Sequence, residues 1–305
     1  MNGRRERTRA DSPSSTIGRP DRDASVQTLT RSVLQAQRSS GNRSVARALL
    51  ARRKPAAEPV TAAGELTAAA RGLVADWVTL GQPLARAKRL GDAANTVMRA
   101  REVTPVDLSF AAPPRAGPIE SVDGFFASET WTLHVREAFF SSETAPDEAA
   151  LLVAITTIAH EARHADQWFS MARYAAGRED KPTVPAMAAE LHIPERVARH
   201  ARSRPLREGE HGYAQAAEFY EEVYGAGSEQ RAKVLDSLMS AQVALVIAKA
   251  NLDKATDDES RKRLTDAFNA ASAEYARWYR LYMRLPTELD AERVAKIVGD
   301  ALKRS

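Results

Sequence analysis

One run of sequence constrains this chain more than any other. Leu151-Leu-Val-Ala-Ile-Thr-Thr-Ile-Ala-His-Glu-Ala-Arg-His-Ala-Asp-Gln167 has the apolar content of a core helix, yet it carries two imidazoles and two carboxylates. Positions i and i+4 of a helix lie on one face, a turn apart. His160 and His164 therefore point the same way, with Glu161 beside them. A tetrahedral metal ion accepts such a pair, and Glu161 is placed to take a proton from a water on that metal. Ile155, Ile158 and Ala159 lead straight into His160, so the pair starts from an apolar stretch rather than a solvated face.

A chain of 305 residues can bury a full core. Aromatics are only 6% of it while Ala and Arg abound, which predicts a helical protein rather than a β-sandwich. Cysteine is absent, so disulfides and thiolate metal sites are excluded. The net charge of +4 is uneven. Residues 1–54 hold 13 Lys and Arg against 4 Asp and Glu, a surplus of +9, so the remainder is near −5. A body of that sign is not a nucleic-acid-binding surface, and the basic tail lacks aromatic residues for base stacking. No apolar run approaches the length of a membrane span. The N-terminal arginines are not followed by the apolar stretch of a secretory signal peptide. The expected location is the producer's cytoplasm, with any export independent of a Sec signal.

Residues 1–25, rich in Arg, Ser, Asp and Pro, read as a disordered basic tail. Residues 26–53 read as short amphipathic helices broken at Gly41-Asn42, a docking or loading segment. Residues 54–60 read as a linker and 61–305 as one domain. Within it, helices are expected from Leu66 to Leu80 and over 84–101. Pro105 to Gly124 then punctuate a stretch in which Thr130–Arg136 alternates like a strand, with Val106–Phe110 as its partner. An extended peptide substrate could add to the edge of strand 130–136. The metal helix is expected to start with Thr144 as N-cap and Pro146 in its first turn, and to end at Gly177. Residues 229–255 and 259–284 read as two long helices joined at Thr256-Asp-Asp258. Pro286 opens a last helix.

A zinc site needs a third protein ligand and leaves its fourth position to water. The metzincin extension would place glycine at 167 and histidine at 170; Gln167 and Ser170 exclude it. Glu288 is the leading candidate, in the first turn of the helix that Pro286 opens. The two long helices have nearly equal lengths, so an antiparallel hairpin returns the chain to its starting point. Asp290 is expected to accept the free N–H of a liganding histidine. Glu218, Glu221, Glu222, His200 and His211 are the rivals. Tyr220, Tyr279 and Tyr282 could polarise a substrate carbonyl, but packing is the expected role of each. Trp168 and Phe169 are assigned to the core, His134 to the surface or to packing, and Asp166 to the helix surface.

Two segments resemble known proteins. Thr157-Ile-Ala-His-Glu-Ala-Arg-His-Ala-Asp-Gln167 resembles the active helix of bacterial HExxH metallopeptidase-like proteins, and Pro286-Thr-Glu-Leu-Asp-Ala291 resembles the Pro-x-Glu-x-Asp-Ala segment that follows it in them. The resemblance implies zinc held by His160, His164 and Glu288, with Glu161 as general base. Leu34-Gln-Ala-Gln-Arg-Ser-Ser-Gly-Asn-Arg-Ser-Val-Ala-Arg-Ala-Leu-Leu50 resembles an N-terminal stretch of actinobacterial proteins associated with extracellular contractile injection systems. That implies toxin or effector cargo, docking on the injection particle through residues 26–53. The expected architecture is mainly α (α+β), a zincin-like metallopeptidase domain with a small sheet before the HExxH helix and a long helical hairpin insertion. The expected activity is zinc-dependent hydrolysis of a peptide or protein. The alternative is a zincin-like binding or structural protein without catalysis.

Overall fold

The computed structural model describes residues 58–110, 123–180 and 182–304. The tail at 1–25 and the docking segment at 26–53 lie outside the described residues. Three helices come first: α1 (Glu58–Ala75), α2 (Trp77–Leu80) and α3 (Pro83–Ala100). Residues 58–60 belong to α1, so the helix begins inside the expected linker. Strands β1 (Asp107–Phe110), β2 (Gly124–Ala127) and β3 (Thr132–Val135) follow, then the central helix α4 (Glu148–Gly177). Helices α5 (Val184–Leu191), α6 (Glu195–Ser203) and α7 (Tyr213–Val223) surround it. The chain ends with α8 (Ser228–Leu252), α9 (Asp258–Tyr282) and α10 (Pro286–Arg304). The protein is thus mainly α with one small sheet.

Helix α4 is apolar on most sides, as a helix packed all round must be. Ile155, Ile158, Ala165, Met171 and Ala172 have no solvent exposure. Two buried threonines interrupt this surface without cost in unmet hydrogen bonds. Thr156 Oγ1 donates to Leu152 O at 2.6 Å and Thr157 Oγ1 to Val153 O at 2.8 Å. The N-cap is Asp147, not Thr144. Its carboxylate accepts the Ala150 N–H at 2.7 Å, which leaves Pro146 outside the helix.

The sheet has the order β1-β3-β2, with β1 parallel and β2 antiparallel to β3. Strand β3 and its partner β1 fall within the two segments expected to pair. β3 is the centre of the sheet, however, so both its edges are occupied and it cannot add a peptide strand. Among the described residues, β2 and β1 are the edge strands. Polar side chains fasten the sheet to the helices. Asn95 exchanges two hydrogen bonds with the Val106 backbone at 2.9 and 3.0 Å, and Trp131 Nε1 donates to Thr104 O at 3.0 Å. Buried Arg86 donates to Phe140 O and Ser142 O at 2.8 and 2.7 Å, holding the segment that leads into α4.

Helices α8 and α9 form the expected antiparallel hairpin. Its base has its own cluster, with Val234, Leu235 and Leu238 packed on Tyr279, Tyr282 and Leu285. Farther out, among the described residues, the two helices pack chiefly on each other, and Val243 and Ile247 are about half exposed. Residues 237–248 of α8 carry no charge. By length and composition α8 is long and apolar enough to cross a membrane, with 28% of that window buried, which corrects the expectation that no segment reaches that length. Helix α10 then packs lengthwise on α4 and α1. Gly299 permits the close approach, since a Cβ there would stand 3.0 Å from Thr156 Cγ2.

Candidate metal centre

The two imidazoles and the distant carboxylate converge. His160 Nε2 and His164 Nε2 are 3.1 Å apart, and Glu288 Oε2 lies 3.6 and 3.5 Å from them. His160 is 2% exposed and the other two are fully buried. Tetrahedral bonds of the usual zinc–nitrogen length set ligand atoms roughly 3.4 Å apart. The observed triangle has that size. Neither oxygen of the Glu288 carboxylate makes a hydrogen bond. Burying a carboxylate is costly unless something positive faces it. Burial alone would raise the Glu288 carboxyl, but the His164 and His160 imidazoles that face it outweigh burial and hold the group well below the ordinary carboxylate range. Two imidazole nitrogens and one unbonded carboxylate oxygen are the donor set of an open zinc site. Among the described residues, this is the group of side chains that could hold a metal ion.

Local sequence explains each position. The histidines are successive-turn residues of α4, and Glu288 sits in the first turn of α10, where the dipole favours a carboxylate. That turn is clamped from below. Glu222 Oε2 accepts the Thr287 N–H at 2.8 Å and its Oε1 accepts the Thr287 hydroxyl at 2.9 Å. Arg231 pairs with the same Glu222 and donates to Thr287 Oγ1 at 2.9 Å. Glu222 is therefore a clasp for the helix that carries Glu288, not a rival ligand. The other rivals are elsewhere. Glu218 and His211 are exposed, Glu221 accepts the Ala226 N–H at 3.1 Å, and His200 Nδ1 meets the Thr104 hydroxyl at 2.7 Å.

Asp290 does not touch a histidine. Gln167 stands between them: its Oε1 meets His164 Nδ1 at 2.9 Å, while its Nε2 donates to Asp290 Oδ2 at 2.9 Å and to Thr287 O at 2.8 Å. An amide carbonyl accepts only, so His164 carries a proton on Nδ1, and in the neutral imidazole a bare Nε2 faces the centre. Asp290 also accepts from Arg163 Nε at 2.6 Å, and Arg163 pairs with Asp166, which Arg101 reaches at 2.8 Å. Asp166 is thus part of a buried charge network rather than a surface residue. Behind His160, Glu292 Oε2 approaches Nδ1 to 3.8 Å.

Glu161 is 2% exposed, and its Oε2 accepts the Phe126 N–H at 3.0 Å. This contact needs β2 to press against α4. Gly124 allows it, because a Cβ there would stand 2.6 Å from Thr157 Cγ2 and 2.8 Å from His134 O. Tyr282 is 1% exposed. Burial first, then the charge of Glu288, keeps its phenol neutral far into the alkaline range. It packs as expected and also lies against the Glu288 carboxylate. Gln167 and Glu292 also adjoin this centre, which the sequence pattern alone did not assign to them. Glu292 had a signal, since it lies four residues after Glu288 and shares its helix face.

The chain matches no family model, no curated protein and no solved structure.

Proposed function

We propose that this chain is a zinc metallopeptidase of zincin-like architecture, with His160, His164 and Glu288 as metal ligands and Glu161 as general base. The observation that carries the reading is the buried His160–His164–Glu288 triangle, with Glu161 adjoining it on the same helix. Zinc bound there supplies Lewis acidity, which acidifies water and polarises a carbonyl. Glu161 takes the proton from the attacking water on a carboxylate oxygen and delivers it to the leaving amine. The Phe126 N–H fixes one oxygen of Glu161, and a carboxylate has acceptor capacity to spare. Gln167 holds the His164 ring in the tautomer that leaves Nε2 free.

The test is Glu161→Gln. It should retain zinc while hydrolysis of a denatured protein such as casein falls at least a hundredfold, within the usual range for a lost general base. Equal hydrolysis by both proteins would remove Glu161 from the reaction. A wild-type chain that binds zinc yet cleaves nothing would instead fit the binding or structural protein. Delivery as cargo of a contractile injection system is the accompanying proposal, and residues 26–53 carry it. Deleting them should abolish co-purification with the injection particle and leave zinc binding intact.

A further inference from the structure

A cavity of about 260 Å³ opens beside His164. Its walls come from the end of β2, from Trp168 one turn beyond His164, and from the first turns of α8. Pockets that enclose a whole small ligand begin at roughly 300 Å³. This one is the size of a single bulky side chain. Phe126, Trp168, Val223 and Leu235 give it apolar faces, with Ala232 beside them. Arg231 also lines it, but pairs with Glu222 and donates to Thr287, so its charge is already answered. Glu129 and His192 lie at the solvent side and are exposed. His192 holds a left-handed backbone (φ 49°), an uncommon conformation outside glycine. The cavity borders the candidate centre, because His164 lines the one and belongs to the other.

We propose that this cavity is a specificity subsite that receives one large apolar side chain, aromatic by preference, of a peptide bound at the His160–His164–Glu288 centre. The inference deepens the peptidase reading and names its substrate class. An aromatic ring would meet Trp168 and Phe126, whose own rings are 6.2 Å apart in an edge-to-face arrangement that a third ring can join. A carboxylate side chain would gain nothing from Arg231 while that residue stays paired. A small side chain would leave most of the volume unfilled and forfeit its dispersion contacts.

The experiment reads binding rather than hydrolysis, so that it stands apart from the peptidase test. The full chain, with and without zinc, is titrated with N-acetyl-phenylalanine amide, N-acetyl-alanine amide and N-acetyl-glutamate amide. The Trp168 indole N–H is followed by NMR and assigned with Trp168→Phe. The phenylalanine probe should saturate the Trp168 signal with at least fivefold tighter binding than the alanine or glutamate probe. Ala232→Phe, on an exposed position of α8, should fill the cavity and abolish that preference while leaving the other indole signals in place. Tighter binding of the glutamate probe, equal binding of all three, or an unchanged preference in Ala232→Phe would overturn the proposal. Probe binding without any peptide cleavage would uphold the subsite while removing the peptidase reading.

Discussion

The Gln167 side-chain amide donates to the backbone carbonyl of Thr287 at 2.8 Å, across 120 residues of sequence. Its other end meets His164 Nδ1, so one side chain orients a histidine and registers α10 against α4. Groups that orient metal ligands in this way commonly contribute ten- to a hundredfold to metal affinity. Gln167→Leu should therefore weaken zinc binding by that factor while the helical circular dichroism is unchanged. Isothermal titration against a competing chelator measures it. Unaltered affinity would show that His164 is oriented without Gln167.

The Glu222 clasp makes a different demand. Breaking a buried ion pair from one side strands the other charge and costs about 3–5 kcal/mol. Glu222→Ala should lose that much unfolding free energy in a denaturant titration, since Arg231 is 5% exposed and has no other carboxylate in the clasp. The double variant Glu222→Leu with Arg231→Met should recover most of the stability. It should not recover the metal affinity, because the Thr287 N–H would still lack its acceptor. Full recovery of both would make Glu222 a structural residue alone.

Gly124 controls the fit of β2 against α4. A valine side chain there would meet Thr157 and the His134 carbonyl, and overpacking of this kind typically costs about 1–3 kcal/mol. Gly124→Val should push β2 outward, remove the Phe126–Glu161 hydrogen bond and reduce hydrolysis far more than zinc content. Parallel loss of zinc would mean that the strand supports the ligands as well as the base.

What could be read from the sequence was mostly local. The periodicity of α4, the equal lengths of α8 and α9 and the start at Pro286 are strong short-range signals. They suffice to suggest that the residue near 288 returns to the histidines. Strand β2 was illegible because Gly124–Ala127 is four residues long and its pairing with β3 is set by the sheet, not by its own pattern. For the same reason β3 read as an edge. The roles of Gln167 and Glu222 depend on partners 120 and 65 residues away, and no local spacing encodes them. The N-cap was misplaced by three residues because Thr144 and Asp147 are both competent caps. Only the position of the Ala150 N–H decides between them.

The distal hairpin makes no part of the centre, although its base does. Replacing residues 241–272 by a short Gly-Ser turn keeps Arg231, Leu235, Tyr279 and Tyr282. Zinc content should remain as in the full chain, and the melting temperature of the zinc-loaded protein should fall by no more than a few degrees. Loss of the metal would show that the outer hairpin holds Glu288 in place.

Three side chains, His160, His164 and Glu288, make the proposed metal site, and direct metal analysis tests it. After zinc loading and exhaustive dialysis at neutral pH, the wild-type chain should carry one zinc per molecule. His160→Ala and Glu288→Ala should each carry essentially none while remaining folded. A wild-type chain without bound metal, or a Glu288→Ala chain that keeps its full equivalent, would contradict the account.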